Sequence, residues 1–336
     1  MSPASSSPRT RPFRLGPFQF GISHLLGGMF VGVLFFTCVG GIYREGVGRR
    51  QGEALLEELG GKLTIMAATK NRSGSHRKSL SFLKPVDDAA LERLAPYAQW
   101  FTQVYEVNLT GGNVTDAGLA SLRKLPHLES LVLDRCPITD SALAELSLHP
   151  TLEQLSLRKT AVTDDGMSQI ARLPALKKLV LSETGIGDTG LAQLAELTGL
   201  IELELAGTQV TDNGLSALEG MRLLEALDLD QTKITDRATT SIKRLPLLEN
   251  ISLADCRGIT AQSIPTWERL RHLQQIDLQG TGFETKDFER LRRGLRDVDI
   301  FDGKTLPRAA APNAIPGGPA NTPVPSFPSK GPSGPP

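Results

Sequence analysis

Cysteine is nearly absent from this 336-residue chain, and so is any excess of charge. The three cysteines, Cys38, Cys136 and Cys256, include no C-x-x-C pair, which leaves neither a disulfide framework nor a structural zinc site. Thirty-seven basic residues balance thirty-seven acidic ones, so no broad field draws the chain toward nucleic acid. The five histidines are scattered and none belongs to an H-E-x-x-H. A G-x-S-x-G nucleophile turn is also missing. Gly303-Lys304-Thr305 echoes the end of a phosphate-binding loop, but Val298 stands where the first glycine is required. These absences argue against an enzyme and imply no cofactor or metal. Aromatics make up 5% of the chain, so the large anchors that dominate many interfaces are scarce.

What the chain does have is a period. Leu128, Leu152, Leu176, Leu200, Leu224 and Leu248 open successive units 24 residues apart. Each unit reads L-x-x-L-x-L-x-x-(T/C)-x-(I/V)-T-D-x-G-L-x-x-L-x-x-L-P, with small variations. In the first, Leu131 and Leu133 alternate with Ser130, Val132 and Asp134, the period of a strand with one buried face. Leu143 and Leu146 follow at helical spacing. Thr139-Asp140 falls where a helix needs a cap. Pro126, Pro150, Pro174 and Pro246 follow the helical halves, where a helix must stop. A strand–turn–helix unit of this size cannot bury its apolar stripe alone, so neighbours must stack.

On these motifs the segment from Val104 to Ile300 resembles the leucine-rich repeat family, and its T-D-x-G-L half resembles the cysteine-containing class of those repeats. The resemblance implies a curved, right-handed α/β solenoid (a horseshoe) with parallel strands on the concave face and helices on the convex face. In many relatives an asparagine ladder occupies the ninth position. Here Cys136, Thr160, Thr184, Thr208, Thr232, Cys256 and, slightly shifted, Thr281 stand there, small groups able to satisfy the turn backbone. The ends drift: Gly112 replaces the Thr/Cys of an earlier unit, Ala261 replaces an Asp, and Pro265 interrupts an expected helix. A last strand is expected at Asp297-Val298-Asp299-Ile300. Some cysteine-class relatives act as substrate receptors of ubiquitin ligases through an F-box domain. Residues 1–103 leave no room for one, and that role is not carried over.

Two features of the repeat compete for functional meaning. Asp116, Asp140, Asp164, Asp188, Asp212 and Asp236 recur in step. A row of carboxylates suits calcium, but one cap or turn-stabilising carboxylate per helix start is the favoured reading. The outward strand residues are the stronger candidates for binding. Glu202, Glu204, Asp228, Asp230 and Asp277 gather in the later strands, with Arg158 and Lys178 just before them. Such a field favours a basic protein or peptide and speeds its approach. A solvated face carrying ordinary charges is the competing reading.

The flanks differ in kind. Residues 1–17 read as a disordered arm and 18–43 as a membrane signal anchor. Leu25 to Tyr43 carries no charge and spans about 28 Å as a helix, close to a bilayer core. Arginines are evenly split across it. The short, purely basic arm points to a cytoplasmic N-terminus and a solenoid on the other side. Gly28 and Gly32 form a G-x-x-x-G match that permits a weak homodimer of spanning helices. Cleavage of the segment and lipid modification of Cys38 are the alternatives weighed. Residues 44–103 read as a juxtamembrane helix followed by a hairpin and helix capping the solenoid, and 104–302 as the solenoid. Residues 303–336 read as a disordered Pro/Gly-rich tail. The arrangement of anchor, basic helix, Gly-Gly-Lys strand and repeats is similar to membrane-anchored bacterial leucine-rich repeat proteins, those of planctomycetes in particular. It implies a non-enzymatic binding module engaging a protein or peptide on its concave face, or, alternatively, an envelope scaffold that self-associates through the solenoid.

Overall fold

The computed structural model describes residues 47–70, 76–101, 103–125 and 127–303. The chain divides into two units, Met1–Arg50 and Gln51–Pro336. In the first, the described residues 47–50 are helical. The apolar stretch from Leu25 to Tyr43, the Gly28/Gly32 pair and the tail beyond Gly303 lie outside the described residues. Among the described residues no helix is long and apolar enough to cross a membrane.

The second unit begins with helical residues 51–58 and continues into a sheet whose strands lie side by side in chain order. β1 (Gly61–Lys70) and β2 (His76–Phe82) pair antiparallel. The rest are parallel: β3 (Val104–Asn108), β4 (Ser130–Val132), β5 (Gln154–Ser156), β6 (Lys178–Val180), β7 (Glu202–Glu204), β8 (Ala226–Asp228), β9 (Asn250–Ser252), β10 (Gln275–Asp277) and β11 (Asp299–Phe301). The register repeats without slippage from Leu131 through Leu155, Leu179, Leu203, Leu227 and Ile251 to Ile276. Those central residues are buried, while their neighbours on each strand face out, as period-two alternation demands. Val180 is the exception: an outward position in the sequence pattern, it is buried.

Each strand from β3 to β10 leads into a residue in the left-handed backbone region. Gly111, Gly207 and Gly280 fill this position in three coils, but Arg135, Lys159, Glu183, Gln231 and Asp255 adopt it as well. The amides there carry the strand ladder onward: Arg135 donates to the Arg158 carbonyl at 2.8 Å and Glu183 to the Ala206 carbonyl at 2.7 Å. That bond and the packing of the coil offset the roughly 1 kcal/mol that a side chain costs in this conformation.

The chain then crosses to a short helical half. Some coils form an α-helix, as at Asp140–Leu146 and Asp188–Gln193, and the coil after β7 closes with a 3-10 helix at Gly214–Gly220. Pro265 does not break its coil. It sits in the first turn of Ile264–Trp267, where the missing N–H has no partner to lose. Leucines from both halves meet in one continuous core.

The ninth-position side chains do satisfy the turns, in two different ways. The hydroxyls of Thr160, Thr184, Thr208 and Thr232 donate to carbonyls three residues back in their own coils, at 2.6–2.7 Å. The thiols reach further. Cys136 Sγ donates to the Leu109 carbonyl of the preceding coil, where Gly112 offers no hydroxyl, and Cys256 Sγ does the same to Leu229.

Candidate functional site

The recurrent aspartates are placed first, because they repeat in step along the solenoid. They are not the caps of their own helices. In four coils the cap is the threonine before the aspartate: Thr115, Thr139, Thr211 and Thr235 accept the amide two residues on, as does Thr260 before Ala261, whereas Thr163 makes no such bond and Gly187 precedes Asp188. The aspartate belongs to the next coil. Asp140 takes the Thr163 amide at 2.8 Å and the Thr163 hydroxyl at 2.6 Å, and Asp212 does the same to Thr235 at 2.7 and 2.6 Å. Asp88 begins the series at Thr115 and Asp236 ends it at Thr260. These carboxylates hold successive coils together, and among the described residues no group of His, Cys, Asp or Glu could hold a metal ion.

The following glycine makes room for this bond. A Cβ at Gly166 would lie 2.4 Å from Asp140 Oδ1, and one at Gly190 2.3 Å from Asp164 Oδ1. Ala142 and Ala238 occupy the same place in coils where the bond survives, so a small shift accommodates one methyl.

The outward face of β7–β11 is the second place where charge accumulates. A hollow of 410 Å³ is lined there by Glu202, Glu204, Ala226, Asp228, Asn250, Ser252, Gln275, Asp277 and Phe301, over a floor of Leu203, Leu227 and Ile251. Sheet register explains the grouping: Glu204, Asp228, Ser252, Asp277 and Phe301 are consecutive partners on five strands, about 4.8 Å apart. Glu204 and Asp228 are thus like charges side by side, an arrangement that costs free energy.

Of the seven residues singled out by sequence, four line this hollow, namely Glu202, Glu204, Asp228 and Asp277, and the other three are engaged outside it. Lys178 sits on β6 and pairs with Glu202 at 2.5 Å and Glu204 at 3.2 Å. Burial works against its ammonium, but the two glutamates outweigh it and the Lys178 pKa rises. Arg158 turns away to Glu183 at 2.7 Å, a partner shared with Lys159. Asp230 accepts from the Ser252 hydroxyl at 2.5 Å and the Ala254 amide at 2.7 Å, so it is a backbone tie to the next coil. Asp134 makes the equivalent bonds to Ser156 and Arg158.

Asp228 and Asp277 remain. Each accepts one amide, from Asp230 and Gln279 respectively, at 2.9 Å, and among the described residues neither forms an ion pair. Burial, then the Asp230 and Glu204 charges, push Asp228 up from 3.8 to about 7. Burial also raises Glu204, against the pull of Lys178, and Asp277. This is a half-buried strip of carboxylates whose negative charge is under-compensated. It can accept a cation or hydrogen-bond donors, but it has no nucleophile–base pair with which to do covalent chemistry.

Phe301 was not evident in the sequence. The last strand is Asp299–Phe301 and not the expected Asp297–Ile300: Ile300 pairs with Ile276, 24 residues earlier, and Phe301 with Asp277, which brings an aromatic ring to the wall of the hollow.

A stack of strand–turn–helix coils with one under-compensated patch on its open sheet face defines a repeat scaffold. Segments 124–147, 149–171, 173–195 and 198–218 match the model of the Leucine Rich repeat family. These segments carry leucine-rich repeats; such domains generally mediate protein–protein interaction and are typically not enzymes. No curated protein matches the chain. Among solved structures it is similar to internalin C2 from Listeria monocytogenes, at 22% identity over 66% of this chain and 89% of that one, with a TM-score of 0.45. It is also similar to a TDR receptor, at 15% identity over 61% of this chain and 40% of that one, with a TM-score of 0.43.

Proposed function

We propose that this protein is a non-enzymatic binding module, held at a membrane by residues 25–43, which engages a basic protein or peptide on the open sheet face of its repeats. The observation that carries the reading is the strip Glu204–Asp228–Asp277, where Asp228 and Asp277 form no ion pair among the described residues. A cationic side chain entering the hollow would supply it, with Phe301 offering a ring face to the same cation. Glu202 lines the hollow beside them, and Lys178, Arg158 and Asp230 act from outside it, fixing the shape and charge of the carboxylates rather than meeting the partner first. The solenoid lies on the non-cytoplasmic side, and Gly28 and Gly32 support at most a weak pairing of spanning helices.

Two experiments test this. Protease protection of the full chain in sealed vesicles reports which side the repeats occupy; repeats digested only from the cytoplasmic side would overturn the assigned topology. Reversal of Glu204 and Asp228 to Lys should abolish binding of a basic partner, and undiminished binding would overturn the reading of the face.

A further inference from the structure

The sheet face carries a second concentration of charge, of the opposite sign, beside β4–β6. Where these strands turn toward their helices, the left-handed residues are Arg135, Lys159 and Glu183, with Arg158 next to Lys159 in the chain. Glu183 is shared: one oxygen meets the Arg158 guanidinium at 2.7 Å and the other meets Lys159 Nζ at 2.8 Å. Two cations therefore draw on one carboxylate. Arg135 is exposed and forms no ion pair among the described residues. It stands one coil from Lys159, about 4.8 Å along the stack, so two like charges lie side by side. Asp134 offers them little relief, since its Oδ1 already accepts the Ser156 hydroxyl at 2.5 Å and the Arg158 amide at 3.1 Å.

Sheet register sets the distance between this basic end and the acidic strip. Lys159 follows β5 and Asp228 lies on β8, three coils apart, about 14 Å along the stack. Between them the outward positions carry short side chains, Val180, Ser182 and Ala206. Ser182 Oγ is buried and, among the described residues, has no hydrogen-bond partner. Asp134 and Asp230 hold the same place in other coils, where each accepts the amide one coil on. Serine at this position forms no such bond, so its hydroxyl is left unpaired between the two charged ends, a costly state for a buried polar group.

Resting on the reading of the hollow given above, we propose that the partner is an extended peptide of mixed charge that runs across the strands, with a basic side chain in the hollow and an acidic side chain four residues away on Arg135 and Lys159. Four residues of extended chain reach about 14 Å, the separation of the two ends. The acidic side chain supplies the second carboxylate that Arg158 and Lys159 lack while they share Glu183. A peptide group crossing between the ends meets Ser182 Oγ. Opposite charges at the two ends fix the register of the peptide, and a segment bearing basic residues alone is repelled at Arg135 and Lys159.

Peptides of equal length test it. Each carries one lysine and, four residues along, either glutamate or glutamine, in both sequence orders, and is titrated against the full chain in detergent. In the better-binding order glutamate should bind about fivefold tighter than glutamine, although it lowers the net charge of the peptide. That gain should vanish in the double variant Arg135→Gln, Lys159→Gln, and also when the glutamate is moved next to the lysine. Gln231 already adopts the same left-handed conformation, so glutamine at these two positions keeps the fold. A glutamate peptide that binds no tighter than its glutamine control, or a gain that survives the double variant, overturns the mixed-charge partner. The basic-partner reading then still stands if Asp228→Asn weakens binding of the glutamine peptide. Failure of every peptide to bind overturns both.

Discussion

Asp188 is bonded to Thr211 of the following coil and not to its own helix: its carboxylate takes the Thr211 amide at 2.7 Å and the Thr211 hydroxyl at 2.6 Å. One side chain thereby fixes the spacing of two coils and frees the threonine lone pairs to cap the next helix, at Asn213. Asp188→Ala should destabilise the solenoid by roughly 1.5–3 kcal/mol, the range for bonds to a charged acceptor that leave a donor unsatisfied. Urea unfolding measures it, and a cycle with Thr211→Val isolates the pair. Additive losses would show that the two residues act separately.

The same carboxylate explains Gly214, whose added Cβ would sit 2.4 Å from Asp188 Oδ1. Gly214→Ala should cost about 1 kcal/mol in the parent chain and less when Asp188 is already Ala, where only the 3.0 Å approach to the residue 188 Cα remains. An equal cost in both backgrounds would place the strain elsewhere.

The stack was legible in the sequence and the bonds between its coils were not. A 24-residue period locates Leu131, Leu155 and Leu179 on one inward line, and the structure pairs them in that order. Thr139-Asp140 is visible as a cap site, yet sequence spacing shows only neighbours along the chain. That Asp140 serves Thr163 follows from stacking, which brings together residues 23 apart. The acidic strip was legible as composition. Its division into bonded carboxylates such as Asp230 and under-compensated ones such as Asp228 depends on which backbone amide points at each, and no pattern of residue types encodes that.

Asp228 sets a pH dependence. Its folded pKa of about 7 lies above the ordinary 3.8, so the native state keeps a proton that the unfolded chain releases. This contribution is neutral below about pH 4, becomes a growing penalty as pH rises toward 7, and is constant above that. Asp228→Asn should therefore raise stability at pH 8, by at most about 4 kcal/mol at 1.4 kcal/mol per unit, and leave it unchanged near pH 3.5. Thermal unfolding at both pH values checks the sign.

Asp302 occupies the position that Leu278 holds one coil earlier, and it meets Arg292 at 2.8 Å with its side chain only 9% exposed. Arg292→Ala should cost about 2 kcal/mol or more by leaving this carboxylate without its main counter-charge. Amide exchange should report the loss in Thr285–Gly294 and β11 first. Uniform loosening of all coils would contradict a local role.

Cys136 and Cys256 are buried and free, and burial raises both thiol pKa values. Neither should react with a thiol reagent in the native state at pH 7.5, as followed by mass spectrometry of their peptides, and both should react once unfolded. Rapid native labelling would show that the coils open locally.

The central claim concerns the open sheet face, and one titration tests it most directly. The full chain in detergent is titrated with extended peptides of equal length and graded net charge, at pH 6 and pH 8. Affinity should rise with positive charge, strengthen from pH 6 to pH 8 as Asp228 ionises, and largely disappear in the double variant Asp228→Asn, Asp277→Asn. Affinity that ignores peptide charge, or that survives removal of both carboxylates, would contradict the account.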